Sequence, residues 1–413
     1  MEHLTTRTTL FAGIAAFSGF LFGFDTVVIS GADKTLQDLW HTSNLFHGWI
    51  VMSMALWGTV LGAVFGHLPT NLLGRKRSLL AIGLLFAMSA FGTAFANGPW
   101  IFAIARFLGG IGIGVSTIAA PSYISEIAPA KYRGRLVGLY QFNIVFGIVV
   151  AFISNFYLKD SGENAWRYML GVQIIPSLLF AVGCFFIPES TRWKSIHDSE
   201  SKNKETTIFH SSYRKVLWLT FFIALFNQFS GINAFLYYAP RIFDLAGLDE
   251  NASYLSSVGV GLVNLAFTIL GVSFIDKLGR KTLMYVGGIG YIVSLGLVFL
   301  SFQLHWDGAM VPYFFFLFIA SHAIGQGAVI WVFISELFPD RLRAAGQGFG
   351  STVHWLFAAT IPAFIPFLFQ KIGAVSVFGI FCCAMMIQMV WIHFWMPETK
   401  GKSLEDITEE LSQ

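Results

Sequence analysis

Two charged residues stand inside apolar stretches long enough to cross a bilayer: Asp25 within 9–31 and Arg106 within 100–124. A lone charge at mid-bilayer costs several kcal/mol, so each needs a partner or a function. The first stretch runs outward, and Asp25 lies about five residues, or ~8 Å, from its outer end. The fourth runs inward, and Arg106 lies about six residues, or ~9 Å, past its outer end. At this shared depth the two can pair. Arginine keeps its proton in proteins, so Asp25 is the member that titrates. Burial favours the neutral acid, the guanidinium favours the carboxylate, and access to water tips the balance. The arrangement fits a proton-binding site, with a static buried ion pair as the alternative.

A second set of polar groups is neutral. The stretch FNQFSGINAFLYYAP (226–240) places Asn227, Gln228 and Asn233 among Phe235, Tyr237 and Tyr238. Gln141, Asn264, Trp331, His354 and Trp355 lie in four further apolar stretches. A carboxamide donates and accepts, as a sugar hydroxyl does. Aromatic faces cover the C–H face of a pyranose and lend a hydroxyl or an indole N–H. No unpaired charge remains in the second half's apolar stretches for an ionic substrate. The set therefore suits a neutral polyhydroxylated ligand, although any one amide can equally serve as interhelical glue. His322 and Gln326 either line the cavity or pack against neighbouring helices.

The elements that position these residues follow from composition. Only 12% of the 413 residues are charged and 55% are hydrophobic. About twelve helices of ~20 residues would need about 240 positions, close to what that apolar content supplies. Runs of spanning length fall at 9–31, 47–69, 78–96, 100–124, 136–158 and 166–187 in the first half. In the second they fall at 214–239, 253–275, 282–302, 312–335, 345–370 and 373–396. The first is longer than a signal-peptide core, no small-residue cleavage site follows it, and it carries Asp25, so it reads as a span. A polytopic all-α membrane protein is expected, and a disordered chain or a disulfide scaffold is excluded. Cys184, Cys382 and Cys383 show no metal-ligand spacing.

With an even number of spans both termini share one side. That side carries 20 of the 26 lysines and arginines, against five on the other, with Arg106 inside a span. The positive-inside bias puts both termini and the central loop in the cytoplasm. The small net charge of +3 is thus topological and gives no reason to expect a nucleic-acid partner. GGIGIG at 109–114 lies within a span with no strand before it, and no Walker A sequence occurs, so no nucleotide partner is expected. Gly58, Gly62 and Gly66, like Gly19 and Gly23, have the small-xxx-small spacing of closely packed helices. No Ser/His/Asp, metal or phosphate motif points to an enzyme.

The two halves repeat. GRKR (74–77) returns as GRKT (279–282), SEIAPAKYR (125–133) as SELFPDRLR (335–343), and PEST (188–191) as PETK (397–400), at offsets of 205, 210 and 209. Six spans in each half give the repeats one orientation, a parallel duplication about the membrane normal. The expected organisation is an N-terminal six-helix domain at 1–189 with the proton site and a cytoplasmic linker at 190–213. A second six-helix domain at 214–399 would carry the main ligand contacts, and 400–413 would form a tail.

GFLFGFDTVVISGA, PSYISEIAPAKYRGRL, PESTRW, NQFSGINAFLYYAP, DKLGRK and PETKGKSLEDI together resemble the sugar porter family of the major facilitator superfamily, over residues 10–410. Among its members the likeness is greatest to the bacterial proton-coupled pentose and hexose symporters. The resemblance implies the major facilitator fold, with 12 transmembrane helices in two pseudo-symmetric domains. It implies proton coupling by Asp25 with Arg106, and a monosaccharide site drawn from Phe22, Gln141, Asn227, Gln228, Asn233, Tyr237, Asn264, Gly327, Trp331, His354 and Trp355. It also implies a cytoplasmic charge network of Glu126, Arg133, Arg135, Glu189, Glu336, Arg343 and Glu398.

Several positions depart from the family pattern. Its usual glutamine pair reads Asn227–Gln228, the proline before the tenth-span tryptophan is Ala328, and His354 replaces a usual amide. Asn71 stands where many members have aspartate, and Ile148 where some xylose symporters have glutamine. The expectation is an alternating-access proton–monosaccharide symporter of the bacterial inner membrane, monomeric and without a cofactor or metal beyond the proton. A facilitative uniporter, a polyol or inositol transporter and a sugar-sensing receptor are the alternatives.

Overall fold

The computed structural model describes residues 5–193, 208–210, 213–339, 342–402 and 407. Most of the expected linker (190–213) and tail (400–413) lies outside them, as do Lys194, Lys202, Lys204 and Arg341 from the count of cations. The described residues are helical, with no strand among them. The chain divides into two compact units, Met1–Asn203 and Lys204–Gln413.

The first unit contains α1 (Thr6–Gly31), α2 (Asn44–Met52 and Met54–Phe65, bent by 43°), α3 (Arg75–Ala94), α4 (Pro99–Ile127), α5 (Arg133–Leu158) and α6 (Ala165–Phe186). The second contains α7 (Arg214–Leu245), α8 (Glu250–Leu278), α9 (Arg280–Gln303) and α10 (Gly308–Leu337). A last run, Arg343–Phe394, has 52 residues. As one straight helix it would be ~78 Å long, against a hydrocarbon core of about 30 Å. Gly373, at φ +78°, breaks it into α11 and α12. Among the described residues the first unit thus has six spans with the bent α2 counted as one, and the second has five, or six with the run broken at Gly373 counted as two.

Helix bounds extend past the apolar stretches where basic residues begin a span, as at Arg75, Arg133 and Arg280. Thr5 caps α1, its hydroxyl accepting from Thr8 N at 3.1 Å. The bend in α2 follows a wide π turn, His47–Met52. That departure is invisible in a continuously apolar sequence.

Glycines set how closely the helices of the first unit approach. A Cβ on Gly23 would strike the backbone of Ile144 in α5, and one on Gly147 the backbone of Phe20 in α1. Gly58 and Gly62 of α2 face Phe107 and Ile111 of α4, while Gly110 and Gly114 return the contact against Ala55 and Thr59. With no hydrophobic drive between helices in lipid, such close backbone packing supplies much of the attraction. It holds α1, which carries Asp25, against α5, and α4, which carries Arg106, against α2.

Candidate functional site

In the first unit Arg106 Nη1 donates to Asp25 Oδ1 at 2.8 Å, and Nη2 donates to the Asp25 carbonyl at 3.0 Å. Both side chains are essentially sealed, at 1% and 2% exposure. The pair is not fully satisfied: Asp25 Oδ2 and Arg106 Nε are buried without a partner at hydrogen-bond distance, although the Gln173 amide of α6 also bears on the carboxylate. Gly109 makes room for it: a Cβ there would press on Ser89 Oγ and come within 3.7 Å of Asp25 Oδ1. The arrangement can accept a proton at the open oxygen. Arg106 would then keep one anchor, because the Asp25 carbonyl does not titrate.

In the second unit, the break in α7 gathers the amides. Gly231 adopts a left-handed conformation at φ +87°, which L residues other than glycine rarely accept. Ser230 stabilises the break, its hydroxyl donating to the Asn227 carbonyl at 2.6 Å. Around it, Asn233 Nδ2 donates to Gln228 Oε1 at 2.7 Å, and Gln228 Nε2 donates to Asn227 Oδ1 at 2.9 Å. Gln228 Nε2 also lies 3.3 Å from both ring nitrogens of His354. The His354 ring sits 5.1 Å from that of Trp331 and 5.0 Å from that of Trp355. Six of the expected ligand residues therefore share one cluster: Asn227, Gln228, Asn233, Trp331, His354 and Trp355.

The others are placed differently. Asn264 of α8 accepts from Thr268 in its own helix at 3.4 Å. Tyr237 is fully buried in the second part of α7. Gly327 closes a wide π turn, Ala323–Gly327, in α10, where a Cβ would lie 3.2 Å from the His322 carbonyl. Phe22 and Gln141 belong to the first unit, Phe22 half-buried and Gln141 exposed. The cluster also contains Gln326, whose Oε1 lies 3.5 Å from Asn227 Nδ2. The sequence left Gln326 open between lining the cavity and packing against neighbouring helices.

The charge network appears once in each unit, with equivalent geometry. Arg75 donates to Glu126 at 2.9 and 3.1 Å, and Arg280 donates to Glu336 at 2.6 and 3.0 Å. Glu189 accepts from the backbone N–H of Arg75 at 2.9 Å and of Lys76 at 3.1 Å. Glu398 accepts from the backbone N–H of Arg280 and of Lys281, both at 2.9 Å. The two arginines at the hubs were not among the residues expected in the network, although the repeated GRK motif pointed to them. Arg133 and Arg343 donate to the carbonyls of Ser125 and Ser335, at 3.1 and 3.0 Å. Arg135 is exposed. Burial opposes ionisation of Glu398, but the N–H groups of Lys400, Arg280, Lys281 and Thr399 outweigh it and hold the carboxyl below its ordinary range.

A further buried pair had no sequence signal. Asp33 Oδ1 lies 2.8 Å from His47 Nε2, both side chains sealed, just beyond the end of α1 and at the start of the π turn in α2. Asp33 falls outside the apolar stretches, and His47, the first residue of the stretch 47–69, carries no fixed charge to notice.

The family described as "Sugar (and other) transporter" matches residues 11–210 and 195–411. The arabinose-proton symporter of Bacillus subtilis is 33% identical over 98% of this chain and 95% of its own length. The glucose transport protein of Synechocystis sp. is also 33% identical, over 96% of both chains. A crystal structure of a D-xylose-proton symporter superposes with a TM-score of 0.85 and 30% identity, covering 95% of this chain and 99% of that one. The chain therefore belongs to the sugar transporter family, as a sugar porter of the major facilitator superfamily.

Proposed function

We propose that this protein is a proton-coupled monosaccharide symporter working by alternating access. The observation that carries the reading is the sealed Asp25–Arg106 pair with one carboxylate oxygen left open, in a chain whose relatives are named as proton symporters of arabinose and xylose. Asp25 binds the proton and Arg106 poises it. The amide and aromatic cluster of the second unit holds a hexose or pentose. Glu126, Arg133, Arg135 and Glu189, with Glu336, Arg343 and Glu398, stabilise one of the two access states at the cytoplasmic end. The protein works as a monomer in a bacterial inner membrane, both termini cytoplasmic, with the proton as its only coupling species. A potential of 100 mV supplies about 2.3 kcal/mol per proton, enough for roughly fifty-fold accumulation.

The test is uptake of labelled glucose, xylose and arabinose into proteoliposomes, with and without an inward proton gradient, for the wild type and Asp25→Asn. Concentrative uptake that needs the gradient and disappears in the variant is the expected result. Equilibration that ignores the gradient in both proteins would replace symport by facilitated diffusion.

A further inference from the structure

The amides of the second unit form a directed chain. Asn233 donates to Gln228 at 2.7 Å, Gln228 donates to Asn227 at 2.9 Å, and Asn227 donates to Gln326 Oε1 at 3.5 Å. The chain ends at Gln326 Nε2, which is buried and donates to nothing. Gln326 itself is 1% exposed. A buried N–H without an acceptor loses its hydration and gains no bond in return. Native structures seldom tolerate such an orphan without a reason, and an acceptor supplied by a ligand is one. Hydrogen bonds arranged head to tail polarise one another, so accepting at Oε1 makes Gln326 Nε2 a better donor than an isolated amide.

Where Gln326 sits strengthens the case. It lies in the wide π turn Ala323–Gly327, a departure from α-helical winding that often marks functional positions. It directly precedes Gly327, where the missing side chain leaves the backbone bare beside His322. His322 is fixed from behind, its Nδ1 lying 2.5 Å from Tyr291 Oη. Asn227, shorter by one methylene than the glutamine usual at its position, is met by the long arm of Gln326 from the facing helix.

We infer that Gln326 is a sugar-contacting residue that determines specificity, its Nε2 donating to one oxygen of the bound monosaccharide. The inference rests on the sugar-transport reading above. Its consequence is selectivity for ligands that place a hydroxyl at that donor. A site built to hydrogen-bond a hydroxyl discriminates strongly against the analogue that lacks it.

The experiment measures binding of glucose, xylose, arabinose and the monodeoxyglucoses to the full-length purified protein, for the wild type, Gln326→Met and Gln326→Ala. Thermal unfolding is followed alongside. Methionine keeps the volume and removes the donor, and alanine provides a folded variant should methionine not yield one. The wild type should lose about tenfold in affinity for one particular deoxyglucose relative to glucose. In the variants glucose itself should weaken about tenfold, and that one penalty should vanish. Unchanged affinity in the variants would overturn the inference. So would an equal weakening for every ligand with a lowered unfolding temperature, which would make Gln326 a packing residue. If the wild type binds none of these sugars, the transport reading falls as well, an outcome distinct from either.

Discussion

Arg106 holds Asp25 through two different atoms, one that titrates and one that does not. Nη1 takes the carboxylate oxygen at 2.8 Å and Nη2 the backbone carbonyl at 3.0 Å, while Oδ2 stays open. Protonation therefore weakens the link between α1 and α4 without severing it. Asp25→Asn keeps an oxygen for Arg106 and removes the site of protonation. Gradient-driven accumulation should fall to background while sugar exchange across the membrane persists, as counterflow measurements would register. Loss of exchange together with accumulation would instead place Asp25 in the structure of the carrier.

Gln228 lies at the centre of the amide chain, accepting from Asn233 and donating to Asn227 beside His354. Gln228→Ala should raise the KM for sugar by roughly tenfold to a hundredfold, since several buried polar groups lose their partner at once. The maximal rate should change less. A variant with normal KM would remove Gln228 from the site.

Glu398 gives the second unit's charge cluster a defined pH response. Its folded pKa lies below the ordinary carboxylate value, held there mainly by backbone donors working against burial. A depressed carboxyl contributes stability that is complete above its unfolded pKa of 4.5 and is lost as pH falls through the folded value. Unfolding temperatures of the purified protein should therefore decline on acidification below about pH 4.5. In Glu398→Gln that part of the decline should be absent, and the variant should be less stable at neutral pH. An unchanged acid limb in the variant would mean that other groups carry the effect.

Gly110 faces the Ala55 carbonyl so closely that a Cβ cannot fit, whereas around Gly138 in α5 the same Cβ would meet nothing within 4 Å. Gly110→Ala should destabilise by about 1–3 kcal/mol or more through overpacking. Gly138→Ala should be neutral or gain up to about 1 kcal/mol from helix propensity. Fluorescence-detected chromatography after graded heating separates the two. Equal behaviour would mean that the α2–α4 interface can shift.

Some of this protein was legible without any coordinates. Spans follow from apolar runs of about twenty residues, where bilayer thickness leaves few alternatives, while duplication and family follow from short motifs that recur at a near-constant offset. Asp25 and Arg106 stood out because a charge in an apolar stretch is costly enough to demand an explanation. The cluster of Asn227, Gln228 and Asn233 was visible because the three lie within seven positions of one another.

Tertiary structure decided what depends on a partner distant in the chain. Arg75 and Arg280 are ordinary loop cations until Glu126 and Glu336, 51 and 56 residues away, meet them. Asp33 and His47 became a sealed pair only when the turn after α1 folded against the π turn of α2. The open oxygen of Asp25 and the unmatched amide of Gln326 are likewise invisible in a string of letters. A residue's type states what bonds it can make, but only packing determines which of them are made and which are left for a proton or a sugar.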